Sequence, residues 1–193
     1  LGAKNWSYKH CLPYFKKSES WLKGEDDYRG VKGPISVTLG NNMLNPLYQA
    51  FIDAGVAAGY SYTEDYNGAK QEGFGPMQMT VKDGVRCSTS LAYLKPAAKR
   101  KNLVVQTAVL VEKVLLKDKK AIGVQCVIKN KKINLLASRE VILSAGSIGS
   151  PHLLQLSGVG PSQVLKDADI ELQHELPGVG ENLQDHLEFY FQY

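Results

Sequence analysis

Cysteine, long apolar runs and terminal signals are all scarce in this 193-residue chain, and each shortage excludes a class of protein. There are three cysteines, Cys11, Cys87 and Cys126. An odd number at wide spacing gives no disulfide framework, and no His or Cys stands at zinc-ligand spacing. Reduced thiols in a cytosolic compartment are the simplest account. No apolar run reaches the roughly 20 residues that a membrane span needs. There is no initiator Met and no signal peptide. The opening Leu1-Gly2-Ala3-Lys4 reads as chain already under way, and the close on Phe189-Tyr190-Phe191-Gln192-Tyr193 as a strand cut short. Truncation at both ends is therefore expected. Internal repeats and low-complexity tracts are missing too. So is a dinucleotide fingerprint, G-x-G-x-x-G between a strand and a helix. Gly158-Val159-Gly160 and Gly178-Val179-Gly180 lack the third glycine and are expected to be turns.

What is present describes a globular chain. Hydrophobic residues make up 44%, enough for one core or for pieces of two. Charged residues make up 22%, near the globular average, so disorder is not indicated. The net charge of +4 comes from scattered groups: Lys16-Lys17, Lys99-Arg100-Lys101, Lys117 to Lys120 and Lys129 to Lys132. The last two groups flank strand-like runs and read as solvated turns, so a nucleic-acid partner is not expected.

Periodicity predicts a short helix over residues 6 to 19, with Ser7 as cap and Leu12 and Phe15 at i, i+3. A strand is predicted over Ile35 to Leu39. A second helix opens at Asn45-Pro46: asparagine caps it, and proline at the first turn loses no hydrogen bond. Leu47, Ala50, Phe51 and Ala54 share one face of it, and Gly59 ends it. Another helix is predicted from Ser88-Thr89-Ser90 through Leu91 and Leu94. The β-branched runs Leu103 to Gln106, Val109 to Leu116, Ile122 to Ile128 and Val141 to Leu143 read as strands. The middle pair should be a hairpin about Lys117-Asp118-Lys119-Lys120. Val141-Ile142-Leu143 lacks polar alternation and is expected to be buried on both faces.

That last run leads into Ser144-Ala145-Gly146-Ser147-Ile148-Gly149-Ser150-Pro151-His152-Leu153-Leu154-Gln155-Leu156-Ser157-Gly158-Val159-Gly160. This is a strand, a crossing of small residues and a helix, with Ser150 as the expected cap and Pro151 as first helical residue. Gly146 and Gly149 put no side chain at the crossing, so a ligand can approach the backbone there. The plainer reading is a tight strand–helix junction of any α/β protein. Residues 146 to 160, however, resemble position by position the second signature of the glucose–methanol–choline (GMC) flavin oxidoreductases. Trp6-Ser7-Tyr8 with Leu12 to Glu19, Arg86 to Pro96, and Pro177 to His186 resemble other segments of that family. The stretches Asn45 to Pro96 and Arg139 to Gln192 look most like its choline-oxidising members.

The resemblance implies an α/β fold: part of a Rossmann-like FAD-binding domain plus part of an α+β substrate domain, truncated at both ends. Residues 1–33 would be a linking helix and loop. Residues 34–82 would be the first part of the substrate domain and 83–185 the middle of the FAD domain. Residues 186–193 would start a substrate-domain strand. Alone, such a piece should show exposed strand edges and an open groove. FAD is the implied cofactor, and Val111, Ala145, Gly146, Asn182 and Asp185 are the implied contacts. Val111 is equally readable as a core valine of a hairpin.

The implied reaction is oxidation of choline to betaine aldehyde, toward glycine betaine, by hydride transfer from the alcohol carbon to flavin N5. The histidine that takes the hydroxyl proton is expected beyond Tyr193, so no catalytic base is assigned here. His10 and His174 read as surface residues, and His152 as structural. Glu188, His186 and Tyr190 are the implied substrate contacts. A quaternary ammonium has no N–H to donate, so only charge and aromatic faces can hold it. Strand alternation sets Glu188 and Tyr190 on one side, while Phe189, Phe191 and Tyr193 face the other. The plainer alternatives are a structural His186 and a solvent-facing Glu188. The electron acceptor is expected to be a quinone or other carrier, with oxygen open as the oxidase alternative. Location is expected to be cytoplasmic, with peripheral association at the inner membrane open. Another alcohol substrate, or a non-catalytic piece of a degenerate paralogue, remain the competing readings.

Overall fold

The computed structural model describes residues 2–39 and 42–190. It divides between Val105 and Gln106 into two units. In the first unit, helix α1 (Tyr8–Ser18) forms where the apolar spacing predicts it. The Ser7 hydroxyl does not cap it; it bonds His10 Nδ1 at 2.7 Å instead. Strand β1 (Glu19–Trp21) follows without a break and pairs in parallel with β2 (Ile35–Val37).

The loop between these strands is pinned by Arg29, which is only 5% exposed. Its guanidinium lies 4.4 Å over the Trp21 ring. Its Nη2 is 3.5 Å from Glu19 Oε2, and its Nε is 3.4 Å from Asp65 Oδ2. Glu19 Oε1 also accepts the Gly30 N–H at 2.9 Å. One buried cation thus joins three separate stretches of chain.

Helix α2 (Pro46–Ala57) has the predicted start and stop. Asn45 Oδ1 accepts the Leu47 N–H at 3.0 Å, and Gly59 takes φ +92 just past the end. Leu47, Ala50, Phe51 and Ala54 are exposed, while Ile52 and Gly55 are buried. Gly55 makes room for Phe74, because a Cβ there would lie 2.4 Å from the ring. Phe51 and Tyr60 flank that ring at centroid distances of 5.2 and 5.5 Å. A small hairpin, β3 (Val81–Lys82) with β4 (Val85–Arg86), turns on Asp83 and Gly84, both at positive φ. The predicted helix after Ser88 is a single π turn, Ser90–Leu94, running into α3 (Lys95–Ala97). Ser88 Oγ accepts the Leu91 N–H at 3.3 Å.

The predicted strand over residues 103–106 does not form. No strand lies beside it among the described residues, so its β-branched side chains have no ladder to join, and Val104 is 83% exposed. The second unit is built on an antiparallel meander of β5 (Val109–Lys117), β6 (Lys120–Ile128) and β7 (Lys131–Leu136). The first hairpin turns on Asp118 and Lys119, as predicted, with φ +50 and +61. The second turns on Lys129 and Asn130. The lysine group read as a solvated turn therefore also starts β7, which the sequence pattern missed. All of β7 is exposed, and its apolar residues Ile133, Leu135 and Leu136 show no regular alternation to mark a strand.

Two further expectations are corrected. Residues 141–143 are not a buried strand: no partner lies alongside among the described residues, and Ile142 is 76% exposed. Helix α4 (Gly146–Leu156) starts one turn before the predicted cap. Gly146 turns the chain at φ +85, Ser150 Oγ reaches back to accept the Ala145 N–H at 3.0 Å, and Pro151 lies inside the helix.

Gly158, at φ +80, follows the end of α4 as predicted. Val159 and Gly160 are not a turn; they form β8 (Val159–Gly160), parallel to β9 (His174–Glu175). Residues 177–180 are a turn, as predicted. Leu165 of α5 (Ser162–Asp167) is 1% exposed and, with Val114, Cys126, Val159 and Val179, makes the core of this unit. Ser157 ties the helix to the meander: its hydroxyl donates to Leu153 O at 2.6 Å and accepts the Val114 N–H at 2.8 Å.

Burial is small for the amount of chain. The accessible area is 15607 Å², against about 11,000 Å² for two separate compact units of these sizes. Exposed large apolar side chains occur in both units, for example Leu44 and Leu47 in the first and Leu136 and Ile142 in the second. No helix among the described residues is long and apolar enough to cross a membrane.

Candidate functional site

The small-residue crossing and the first strand of the meander enclose an open groove of about 740 Å³. Leu110, Val111 and Glu112 form one wall. Leu143, Ser144 and Ala145 form the other, with Gly149 and Leu153 of α4 at its end. A bulge shapes the first wall. The register passes from Val111 opposite Cys126 to Lys113 opposite Gln125, so Glu112 is the extra residue. Bulges bend a strand and re-aim its side chains. Here Glu112 lies at the groove with its carboxylate 3.1 Å from Lys132 Nζ.

The crossing explains the open backbone beside the second wall. Gly146 takes a left-handed φ, and an added Cβ there would meet nothing within 4 Å. Its backbone is therefore open to a ligand. At Gly149 a Cβ would fall 3.0 Å from Ala145 Cβ, close enough that one of the two would have to shift by a few tenths of an ångström. Mostly apolar walls around exposed backbone suit a planar heterocycle, and the volume suits a nucleotide-sized ligand.

A second groove of about 610 Å³ lies along α4, lined by Ser147, Pro151, Gln155, Gly180 and Asn182 among others. His152 lines both grooves and is exposed. Gln155 Nε2 donates to Val179 O at 3.2 Å and holds the 177–180 turn against the helix. Asn182 has φ +57, a conformation asparagine tolerates better than most residues.

The sequence-predicted residues thus fall into three places. Val111 and Ala145 face one groove, with Gly146 beside it. Asn182 lines the second groove. Asp185, His186, Glu188 and Tyr190 line neither; they lie on an exposed irregular segment, and the strand predicted to start at residue 186 does not form over residues 186–190. Asp185 Oδ1 accepts the His186 N–H at 2.9 Å. Tyr190 donates its hydroxyl to Glu188 Oε2. This bond, and next the negative charge of Glu188, hold the Tyr190 pKa above the ordinary phenol value. Phe191 and Tyr193 of the predicted strand lie outside the described residues. Leu110, Leu143 and Leu153 were missed as groove residues. Their only signal is apolar character, which a groove and a core share.

Comparison with known proteins gives these features a context. The profile of the family described as "GMC oxidoreductase" matches residues 1–188. The oxygen-dependent choline dehydrogenase of Photobacterium profundum is 62% identical across the whole chain, which covers 34% of that protein. The protein of the same name from Escherichia coli (strain K12) is 50% identical across the whole chain and is covered over 35% of its length. The chain therefore spans about a third of the curated relatives it matches. Among solved structures, pyridoxine 4-oxidase from Mesorbium loti superposes with a TM-score of 0.83 at 31% identity, over 91% of this chain and 35% of that one. An FAD-dependent oxidoreductase from Chaetomium thermophilum superposes with a TM-score of 0.87 at 30% identity, over 95% of this chain and 34% of that one.

Proposed function

Because this chain belongs to the GMC oxidoreductase family, we propose that, in an enzyme of its relatives' length, it takes part in oxidising choline to betaine aldehyde. FAD is the cofactor of the reading. The residues present fit part of it: Val111, Ala145 and Gly146 would hold its adenine end by backbone and small side chains. Asn182 and Asp185 would lie farther along it. When bound, FAD supplies the hydride acceptor.

The chain's own residues would then act on the substrate. Glu188 would neutralise the trimethylammonium, Tyr190 would offer it a ring face, and His186 would lie beside them. No described residue is assigned as the base; that proton is expected to pass to a histidine outside residues 1–193. The observation that carries the substrate is the carboxylate paired with a phenol on one side of the segment, just past Asp185-His186. A neutral alcohol gains nothing from a carboxylate in its site.

In domain terms, residues 83–185 would serve FAD, and residues 34–82 with 186–193 would serve the substrate. Residues 1–33 would link them. Electrons would leave to a quinone or other carrier. The relatives' name also favours dioxygen as acceptor, so oxygen uptake is to be measured beside quinone reduction. Anaerobic mixing of the full-length enzyme with choline should bleach the visible flavin absorbance. Bleaching by neutral alcohols but not by choline would overturn the substrate. Residues 1–193 alone should neither retain FAD nor oxidise choline.

A further inference from the structure

We infer that Tyr190 is a positioning and specificity-determining residue: its hydroxyl fixes the Glu188 carboxylate so that the site favours quaternary ammonium over ammonium ions that carry N–H. This rests on the proposed role of Glu188. The two residues are i, i+2 in the chain, and their side chains meet on the same side of the segment. The Tyr190 O–H donates to Glu188 Oε2. Asp185, the other acidic residue of the segment, is occupied by the His186 backbone N–H. His186 is the titratable residue nearest Glu188 in the chain, and Lys or Arg is absent between Glu181 and Tyr190.

That bond acts on the carboxylate in two ways and on the phenol in one. A free glutamate has three soft torsions, and a ligand that needs its carboxylate in one place must freeze them at a loss of entropy. Tyr190 freezes them beforehand. The bond also consumes acceptor capacity on one carboxylate oxygen. A trimethylammonium makes no hydrogen bond and loses nothing by this. A protonated primary or secondary amine seeks lone pairs on both oxygens and finds one of them already used. Finally, the carboxylate holds the Tyr190 pKa above its ordinary value, so the phenol remains a donor throughout the neutral range. On the alkaline side the clamp is lost only as pH rises through the raised phenol pKa.

The test uses the full-length holoenzyme and the Tyr190→Phe variant, which keeps the ring and removes the donor. Initial rates are compared for choline, ethanolamine and the uncharged carbon analogue 3,3-dimethylbutan-1-ol. Flavin content and melting temperature check that the variant is folded. Loss of one charge-assisted hydrogen bond should raise KM for choline roughly 3- to 10-fold with kcat little changed. The carbon analogue should be unaffected, and the choline-to-ethanolamine ratio of kcat/KM should fall. Equal losses on all three substrates, or no change on choline, overturn the inference. Glu188→Gln is measured in parallel to separate the two failures. If Glu188→Gln erases the preference for charge while Tyr190→Phe does nothing, the clamp is wrong and the choline reading stands. If neither variant alters the preference, both are wrong.

Discussion

The end of α4 and the segment 185–190 belong to the same unit, yet they are held in opposite ways. At the helix end, one hydroxyl, Ser157 Oγ, serves both a helix carbonyl and a strand N–H, and its residue is 6% exposed. Leu165 and Val159 close over the same core. In the segment, every described residue is exposed, and the Asp185–His186 and Glu188–Tyr190 hydrogen bonds span only one or two positions in sequence. The groove that would take the cofactor is thus framed by long-range bonds within residues 109–180. The residues that would take the substrate have a local conformation and no wall. One part of the chemistry is carried by this stretch of chain; the other needs surfaces that this stretch does not form.

Mutations should reproduce that contrast in full-length protein. Leu165→Ala should have the largest effect, about 2–5 kcal/mol lost to an empty space in the core, read by denaturant titration. Ser157→Val should cost about 1–3 kcal/mol, because the buried Val114 N–H loses its acceptor. Gly146→Val forces a β-branched residue to φ +85. It should cost about 1–3 kcal/mol and lower the ratio of flavin to protein absorbance, since its side chain enters the open approach. Tyr190→Phe should have the smallest effect on stability, because the residue is exposed, while changing substrate choice. A stability loss at Tyr190 equal to that at Ser157 would erase the contrast. Outside the comparison, Arg29→Met leaves Glu19 and Asp65 without their cation and should cost about 3–5 kcal/mol.

Legibility in the sequence followed whether a signal was local. Asn45-Pro46 and Gly59 bracketed α2 because caps act within one turn. The Lys117–Lys120 hairpin was legible because β-branched runs flank a polar turn. The strands predicted at residues 103–106 and 141–143 failed for a non-local reason: a ladder needs a neighbour, and none lies beside them among the described residues. The start of α4 failed because Ser150 caps backward to Ala145 instead of forward. At the first groove, the open backbone of Gly146 was legible from the small-residue crossing, whereas Val111 and Ala145 were singled out only through the family resemblance. The Glu112 bulge had no signal, since register is a property of two strands together. The shared side of Glu188 and Tyr190 followed from alternation alone, and their bond required the structure.

The most direct test of the account is a ratio. In the full-length enzyme, kcat/KM is measured for choline and for 3,3-dimethylbutan-1-ol, in wild type and in Glu188→Gln. A partly screened ion pair is worth up to about 4 kcal/mol, so wild type should prefer choline by roughly 10- to 100-fold. Glu188→Gln should bring that ratio close to one by losing choline and sparing the analogue. Equal turnover of the two alcohols by wild type, or an unchanged ratio in Glu188→Gln, would contradict the assignment of Glu188 and with it the choice of choline as substrate.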